Sequence, residues 1–162
     1  MKRLLVLAAV LAASALTVGT ASAPARVATK CIPDAQAGIQ VVNHVALVVY
    51  CGHAKLTVKT AGQPKKLWTN GMCLRTAGNL TLGFGKYTAL LHPIALSNSL
   101  VLVIPASGDG TYRLGLMTVQ KKGQKATVAD KVKVVVKGKR SRGTFSGRFL
   151  KGASFTGSFT CK

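Results

Sequence analysis

The stretch that decides the fold is Lys55–Gly85, KLTVKTAGQPKKLWTNGMCLRTAGNLTLGFG. It contains three runs in which apolar and polar side chains alternate, the pattern of half-buried strands. A turn at Ala61-Gly62 ends the first run, and Asn70-Gly71 interrupts the second run, Leu67–Leu74. Consecutive strands joined by short turns form an antiparallel meander. This stretch therefore predicts an antiparallel sheet.

The rest of the chain has the composition of a β-protein. Glu is absent, Val and Thr are plentiful, and glycine-bearing turns recur roughly every 8 to 12 residues. The clearest strand is Thr127–Lys137, in which Val132, Val134 and Val136 alternate mostly with lysine. This alternation predicts valines that face inward and lysines that face solvent. We expect an all-β domain, either an antiparallel β-sandwich or an open barrel.

Further elements are predicted with weaker patterns. Strands are expected at Ile39–Tyr50, Leu100–Ile104 and Thr111–Val119, and short helical turns at Asp34–Ala37 and Lys86–Leu91. The C-terminal aromatic residues and the last cysteine keep spacings of two or four within their strands: Phe145, Phe149, Phe155, Phe159 and Cys161. Because side chains two or four apart lie on one face of a strand, these residues should share the core face.

The N-terminus has the three regions of a secretory signal peptide. A basic Met1-Lys2-Arg3 precedes an apolar run, and the small residues Ala21-Ser22-Ala23 follow it. We predict a signal peptide over residues 1–23 and a single secreted domain over 24–162, because ~140 residues fit one core. The other apolar runs are much shorter than the ~20 residues of a membrane helix. No transmembrane segment is expected after cleavage, and the protein should be extracellular or envelope-associated.

Four cysteines in an exported chain predict two disulfides. A metal site is the weaker interpretation, because no Cys-x-x-Cys pair exists, and no cofactor is expected. Three connectivities are possible. Cys161 lies on the predicted apolar face of the last strand, so a partner on a central strand is favoured, and we choose Cys73. That choice leaves Cys31 with Cys51.

Several short motifs resemble a known family. They are Thr69–Cys73, Ala77–Gly83 and Gly143–Cys161. Together they resemble the mycobacterial lipoprotein-antigen (LpqH-like) family and other small secreted actinobacterial β-proteins of uncharacterised function. The resemblance implies an internal cysteine paired with the terminal one, which supports Cys73 with Cys161, and an envelope-associated binder or antigen. The lipidation cysteine of the family is missing here, so membrane anchorage is not implied.

Residues suited to catalysis are few. The acids and histidines are Asp34, Asp109, Asp130, His44, His53 and His92. None of them falls in a hydrolase or metal-binding motif. Trp68 is interpreted as core filling rather than as a stacking platform. We therefore predict a protein that is not an enzyme; the alternative is a secreted enzyme or enzyme inhibitor whose site lies on loops.

Charge is the strongest functional signal. The chain has a formal net charge of +20, and eleven basic residues lie in Lys121–Lys151 beside one acid, Asp130. Such a charge attracts polyanions. Nucleic acid is not favoured as a specific partner, because export separates the protein from it and the basic strands lack interleaved aromatics.

Anionic cell-envelope polymers or lipid headgroups are the partners that the charge predicts. The oligomeric state is not predicted. The expected anion-binding residues are Lys121, Lys122, Lys125, Lys131, Lys133, Lys137, Lys139, Arg140, Arg142 and Arg148.

Overall fold

A computed structural model describes residues 38–42, 45–88 and 94–162. These residues form ten strands and no helix: β1 (Gly38–Val42), β2 (Val45–Val49), β3 (Ala54–Thr60), β4 (Lys66–Arg75), β5 (Leu80–Thr88), β6 (Ser99–Ile104), β7 (Gly110–Gln120), β8 (Thr127–Lys137), β9 (Arg142–Arg148) and β10 (Ser154–Thr160). All the pairings between them are antiparallel. The predicted all-β class is confirmed.

The sheet closes into a barrel. Its strand order is β1-β2-β5-β4-β3-β10-β9-β8-β7-β6, and β5 pairs with β6 as well. Strands β3 to β10 therefore form a closed eight-stranded barrel, and β1 and β2 form a hairpin that pairs with the end of β5. The sheet is antiparallel as predicted, but it is neither a sandwich nor an open barrel, because β6, the last strand of the order, pairs back with β5.

Individual strand predictions have mixed outcomes. Strand β8 covers Thr127–Lys137, with its three alternating valines buried and its lysines exposed, as predicted. The single strand expected at Ile39–Tyr50 is wrong, because β1 and β2 turn back on each other and Val42 pairs with Val45. Strands β6 and β7 contain the predicted strands Leu100–Ile104 and Thr111–Val119.

Two other local predictions also need correction. Asn70-Gly71 does not end a strand. It forms a bulge inside β4, where Asn70 has a φ of 56° and the register with β3 shifts. The residues Lys86–Thr88 belong to β5 rather than to a helix. The remainder of that predicted helix, the one at Asp34–Ala37 and the signal peptide at 1–23 lie outside the described residues.

The C-terminal motif packs rings over glycines. Three cross-strand pairs join a phenylalanine to a glycine: Phe145 with Gly157, Phe155 with Gly147 and Phe159 with Gly143. A Cβ atom on Gly157 would lie only 2.2 Å from Cζ of Phe145. The predicted common core face is confirmed, since the four C-terminal phenylalanines and Cys161 are all at most 9% exposed. These pairs explain why Gly and Phe alternate along both β9 and β10.

A disulfide joins Cys73 to Cys161 across a sequence separation of 88 residues. It confirms the predicted pairing and links β4 to the residue that follows β10. The second predicted bridge, Cys31 with Cys51, includes a residue outside those described and stays a prediction.

The strand directions give the barrel two different ends. The disulfide lies at one end, here called the disulfide end, together with the β4–β5, β6–β7 and β8–β9 loops. The β3–β4, β7–β8 and β9–β10 loops lie at the other end, here called the open end. The core between them is formed by fully buried residues such as Leu82, Phe84 and Leu102.

Candidate anion-binding surfaces

The structure separates the ten predicted anion-binding residues into three groups, because β8 runs the length of the barrel. Those at the open end are Lys121, Lys122, Lys125 and Arg148; those on the outer side of β8 are Lys131 and Lys133; those at or near the disulfide end are Lys137, Lys139, Arg140 and Arg142. The basic segment is therefore continuous in sequence but not on the surface.

One outer face of the barrel combines lysines with hydroxyl groups. This basic face is the outward side of β3, β10, β9 and β8, which are neighbours in that order. Its rows, read across the four strands, are Lys59, Thr156, Ser146 and Lys133; Thr57, Ser158, Thr144 and Val135; and Lys55, Thr160, Arg142 and Lys137. Cations thus lie at both ends of the first and third rows, and small hydroxyl side chains occupy most of the positions between them.

The basic face has the shape of an open groove. Short hydroxyl side chains form its floor, and the longer Lys59, Lys65 and Lys133 stand at its sides, which leaves a volume of about 550 Å³. The hydroxyls of Thr57 and Ser158 hydrogen-bond across the strands at 2.9 Å. Among these four strands, all described in full, only β8 carries an acid, Asp130. The positive potential over the floor is therefore little opposed.

The predicted residues Lys139 and Arg140 have a structural role at the disulfide end. Their backbone N–H groups donate to the Asp109 carboxylate at 3.0 and 2.9 Å. The Arg140 guanidinium donates to the carbonyls of Thr76 and Ala106 at 2.6 and 3.1 Å. This residue ties three loops together, so its charge is directed at the protein itself rather than at a ligand.

The Asp109 carboxyl is held ionised by the same turn. Hydrogen bonds from the backbone N–H of Arg140 and then of Lys139 lower its pKa from the ordinary value. Both donors have φ near 60°, in the left-handed region that residues other than glycine seldom adopt. Asp109 therefore stabilises an otherwise strained β8–β9 turn.

A second concave site lies at the open end. This rim pocket has a volume of about 230 Å³, and apolar side chains form most of its wall: Val58, Trp68, Leu100, Val119 and Phe149. Part of the wall is one row across three strands, because Leu100 pairs with Val119 and Val119 with Thr127. The pocket wall thus includes side chains that pack against the core at this end of the barrel.

Lysines surround the rim pocket. Lys66, Lys121 and Lys151 line it, and no acid does. Lys66 pairs with Val58, an inward residue, and therefore stands on the inner side of β4. Its Nζ lies 4.2 Å from the centre of the Trp68 ring. The Trp68 Nε1–H is buried and has no hydrogen-bond partner among the described residues.

The candidate catalytic residues are only partly described by the structure. His53 is exposed, whereas His44, His92 and Asp34 lie outside the described part of the chain. Within the described ranges, no three His, Cys, Asp or Glu residues are placed to hold a metal ion. The same ranges contain no helix of the length and hydropathy that a membrane span requires.

Sequence reasoning missed several residues of both sites. Lys55, Lys59 and Lys66 lie outside the basic segment 121–151, and Trp68, which packs against the core as predicted, also lines the rim pocket. Alternation within β3 was the available signal, since Lys55 and Lys59 alternate with inward Leu56 and Val58. For Lys66 no such signal existed, because its inward position follows from the register between β3 and β4.

Comparison with known protein families, curated proteins and solved structures gives no match to this chain.

Proposed function

We propose that the protein is a secreted, non-catalytic β domain that binds anionic polymers of the cell envelope through its basic face. The observation that carries the proposal is the row Lys59, Thr156, Ser146 and Lys133, in which two cations flank two hydroxyl groups on adjacent strands. At a strand spacing of ~4.8 Å, the two lysine positions are ~14 Å apart.

This arrangement suits an extended anion. The lysine ammonium groups attract a charged group from either side, while the hydroxyls between them donate hydrogen bonds to its oxygens. The rows that carry cations are four residues, or ~13 Å, apart along the strands and are separated by a row without charge, so charged groups spaced along one polymer can meet cations at two levels of the groove. A single headgroup would use only part of the groove.

The surface therefore favours a polymer over isolated lipid headgroups, the other partner predicted from charge. Nucleic acid finds no exposed ring on the face: Phe145, the only aromatic residue lining the groove, is 3% exposed, and single strands bind largely by base stacking. The role proposed here agrees with the envelope-associated binding that the family resemblance implies.

The test compares two double variants with equal change in charge. Lys59→Gln/Lys133→Gln removes the cations of one row, and Lys122→Gln/Lys125→Gln removes two exposed cations at the open end. Retention is measured on immobilised poly(glycerol phosphate) over a salt gradient, with phosphatidylglycerol vesicles as the lipid arm. Exposed pairs contribute ~0.2 to 1 kcal/mol each, so the first variant should bind roughly two- to thirtyfold more weakly.

Salt should weaken the wild-type interaction, because exposed charges are screened beyond ~8 Å at physiological ionic strength. Equal losses in the two variants would mean that net charge alone drives retention, and would contradict a site on the basic face. Stronger binding to vesicles than to the polymer would assign the face to lipid headgroups instead.

A further inference from the structure

The rim pocket is a second concave site whose chemistry differs from that of the basic face. We propose that it binds a small anionic amphiphile, with the apolar body of the ligand inside the barrel mouth and its carboxylate on the lysine rim. This activity is separate from polymer binding, because the pocket opens at one end of the barrel and the basic face lies on its outer wall.

The wall of the pocket favours an apolar body. Leu100 is fully buried, and Val58 and Phe149 are at most 9% exposed, so a ligand there contacts the edge of the core. Burial of apolar surface contributes ~25 cal/mol per Å² removed from water. Eight-stranded barrels have an interior that side chains can fill or that can hold one small ligand. Here the open end follows the second pattern.

The size of the pocket limits the ligand. A volume of about 230 Å³ corresponds to roughly eight non-hydrogen atoms at ~30 Å³ each, the share of one water in the liquid. A short acyl chain or one substituted ring fits this volume, whereas a full lipid tail does not. The ligand is therefore a free small molecule rather than a bilayer lipid.

The rim defines the charge of the ligand. Lys66 and Lys121 each lie two residues from an inward residue, Trp68 and Val119, and so on the same face, which makes their stems extend from the pocket wall. A carboxylate between them replaces the repulsion of two like charges by two charge-assisted hydrogen bonds. A neutral or cationic amphiphile of the same length has no such gain.

Trp68 supplies a further polar group and a reporter. Its buried Nε1–H is a donor without a partner among the described residues, and such a group costs stability until an acceptor reaches it. It is the only tryptophan in the chain, so the intrinsic emission of the protein reports on the pocket wall directly.

The experiment titrates the mature protein with sodium octanoate, using 1-octanol and octylammonium as analogues of equal chain length. Trp68 emission and isothermal titration calorimetry both measure binding, because a change at Lys66 also alters the surroundings of the ring. We expect saturable binding of octanoate and about tenfold weaker binding of octanol, the factor that one ~1.4 kcal/mol interaction provides.

Two variants of equal charge locate the site. Lys66→Gln/Lys121→Gln should weaken octanoate binding about tenfold or more, whereas Lys133→Gln/Lys137→Gln on the outer wall should leave it unchanged. Val119→Phe should block the cavity and abolish binding of all three compounds. Circular dichroism checks that each variant is folded. If Val119→Phe does not fold, the variant Lys66→Gln/Lys121→Gln decides the outcome.

Three results would overturn the proposal. One is the absence of a saturable response to octanoate. Another is octanol binding as tightly as octanoate, which would make the rim irrelevant. The third is an equal loss of binding in the outer-wall variant, which would show a general effect of net charge.

Discussion

Adding one methyl group at Gly157 tests whether the Phe–Gly pairs hold the barrel together. A Cβ atom there would lie 2.2 Å from Cζ of Phe145 and 2.3 Å from the carbonyl oxygen of Thr57, whereas Cβ atoms essentially never approach closer than 3.0 Å. The ring can turn, but the carbonyl belongs to the β3 backbone that pairs with β10. The substitution Gly157→Ala must therefore separate two paired strands.

The expected cost follows from overpacking. Extra methyl groups in a packed core destabilise by ~1 to 3 kcal/mol, and the backbone clash places Gly157→Ala at the upper end. Gly147→Ala should cost less, because the three atoms nearest to its Cβ all belong to the Phe155 ring, the closest at 2.7 Å. Gly78→Ala is the matched control: nothing lies within 4 Å of its Cβ, and its φ is not positive. It should be neutral or stabilising by ~0.4 to 1 kcal/mol.

Urea denaturation followed by circular dichroism measures these differences. With a slope of ~2 kcal/mol/M, a loss of 3 kcal/mol lowers the midpoint by ~1.5 M. The predicted order of stability is Gly78→Ala, then Gly147→Ala, then Gly157→Ala. A Gly157→Ala midpoint equal to that of the wild type would refute the reasoning, since it would show that the barrel wall yields without cost.

Three further predictions concern pH and the disulfide. Burial, and then the charge of Tyr87, raise the pKa of Tyr50 from 10.0 to about 12. The stability of the wild type should therefore fall as the pH rises from ~10 to ~12, while Tyr50→Phe loses less stability. Identical urea midpoints of the two proteins across that range would exclude the effect. The pKa of Asp109 is lowered in the folded protein. The stability that its ionised carboxyl contributes is therefore present above the ordinary pKa and is lost as the pH falls through the lowered pKa of the folded state. Thermal unfolding should show that Asp109→Ala destabilises the protein at pH 7 and approaches the wild type in acid. Replacing Cys73 and Cys161 by Ala should lower the free energy of unfolding by ~4 to 5 kcal/mol, the entropy of a loop of this length; a loss below ~1 kcal/mol in denaturant titrations would contradict it.

Much of the sheet could be predicted from local alternation. In β8, Val132, Val134 and Val136 alternate mostly with lysine, and the structure buries these three valines and exposes the lysines. The same reasoning placed Phe145, Phe155 and Phe159 on the core face. These predictions succeed because the side chains of a strand point to opposite faces in turn, whichever strand lies beside it.

Local alternation could not locate the turn between β1 and β2 or the bulge at Asn70. Within Ile39–Tyr50 the only interruption between the two apolar runs is Asn43-His44, and no Gly or Pro marks the point between Val42 and Val45 where the chain reverses. Asn-Gly is a common hairpin signal, yet here β4 continues through it, because β3 pairs with β4 on both sides of Asn70 and β5 pairs with the residues that follow the bulge. The pairing of β4 with its neighbouring strands therefore outweighed the preference of Asn-Gly for a hairpin turn.

The amino-acid sequence by itself determined the all-β class, the inward and outward residues of strands such as β8, and the excess of positive charge. The first two follow from the pattern of neighbouring residues along the chain, and the charge follows from the composition. Only the tertiary structure decided that β5 meets β6 and closes the barrel, that Lys59 and Lys133 flank one row, and that Lys66 faces into the rim pocket. These features depend on register between strands, because a shift of one residue would turn each of these side chains to the opposite face.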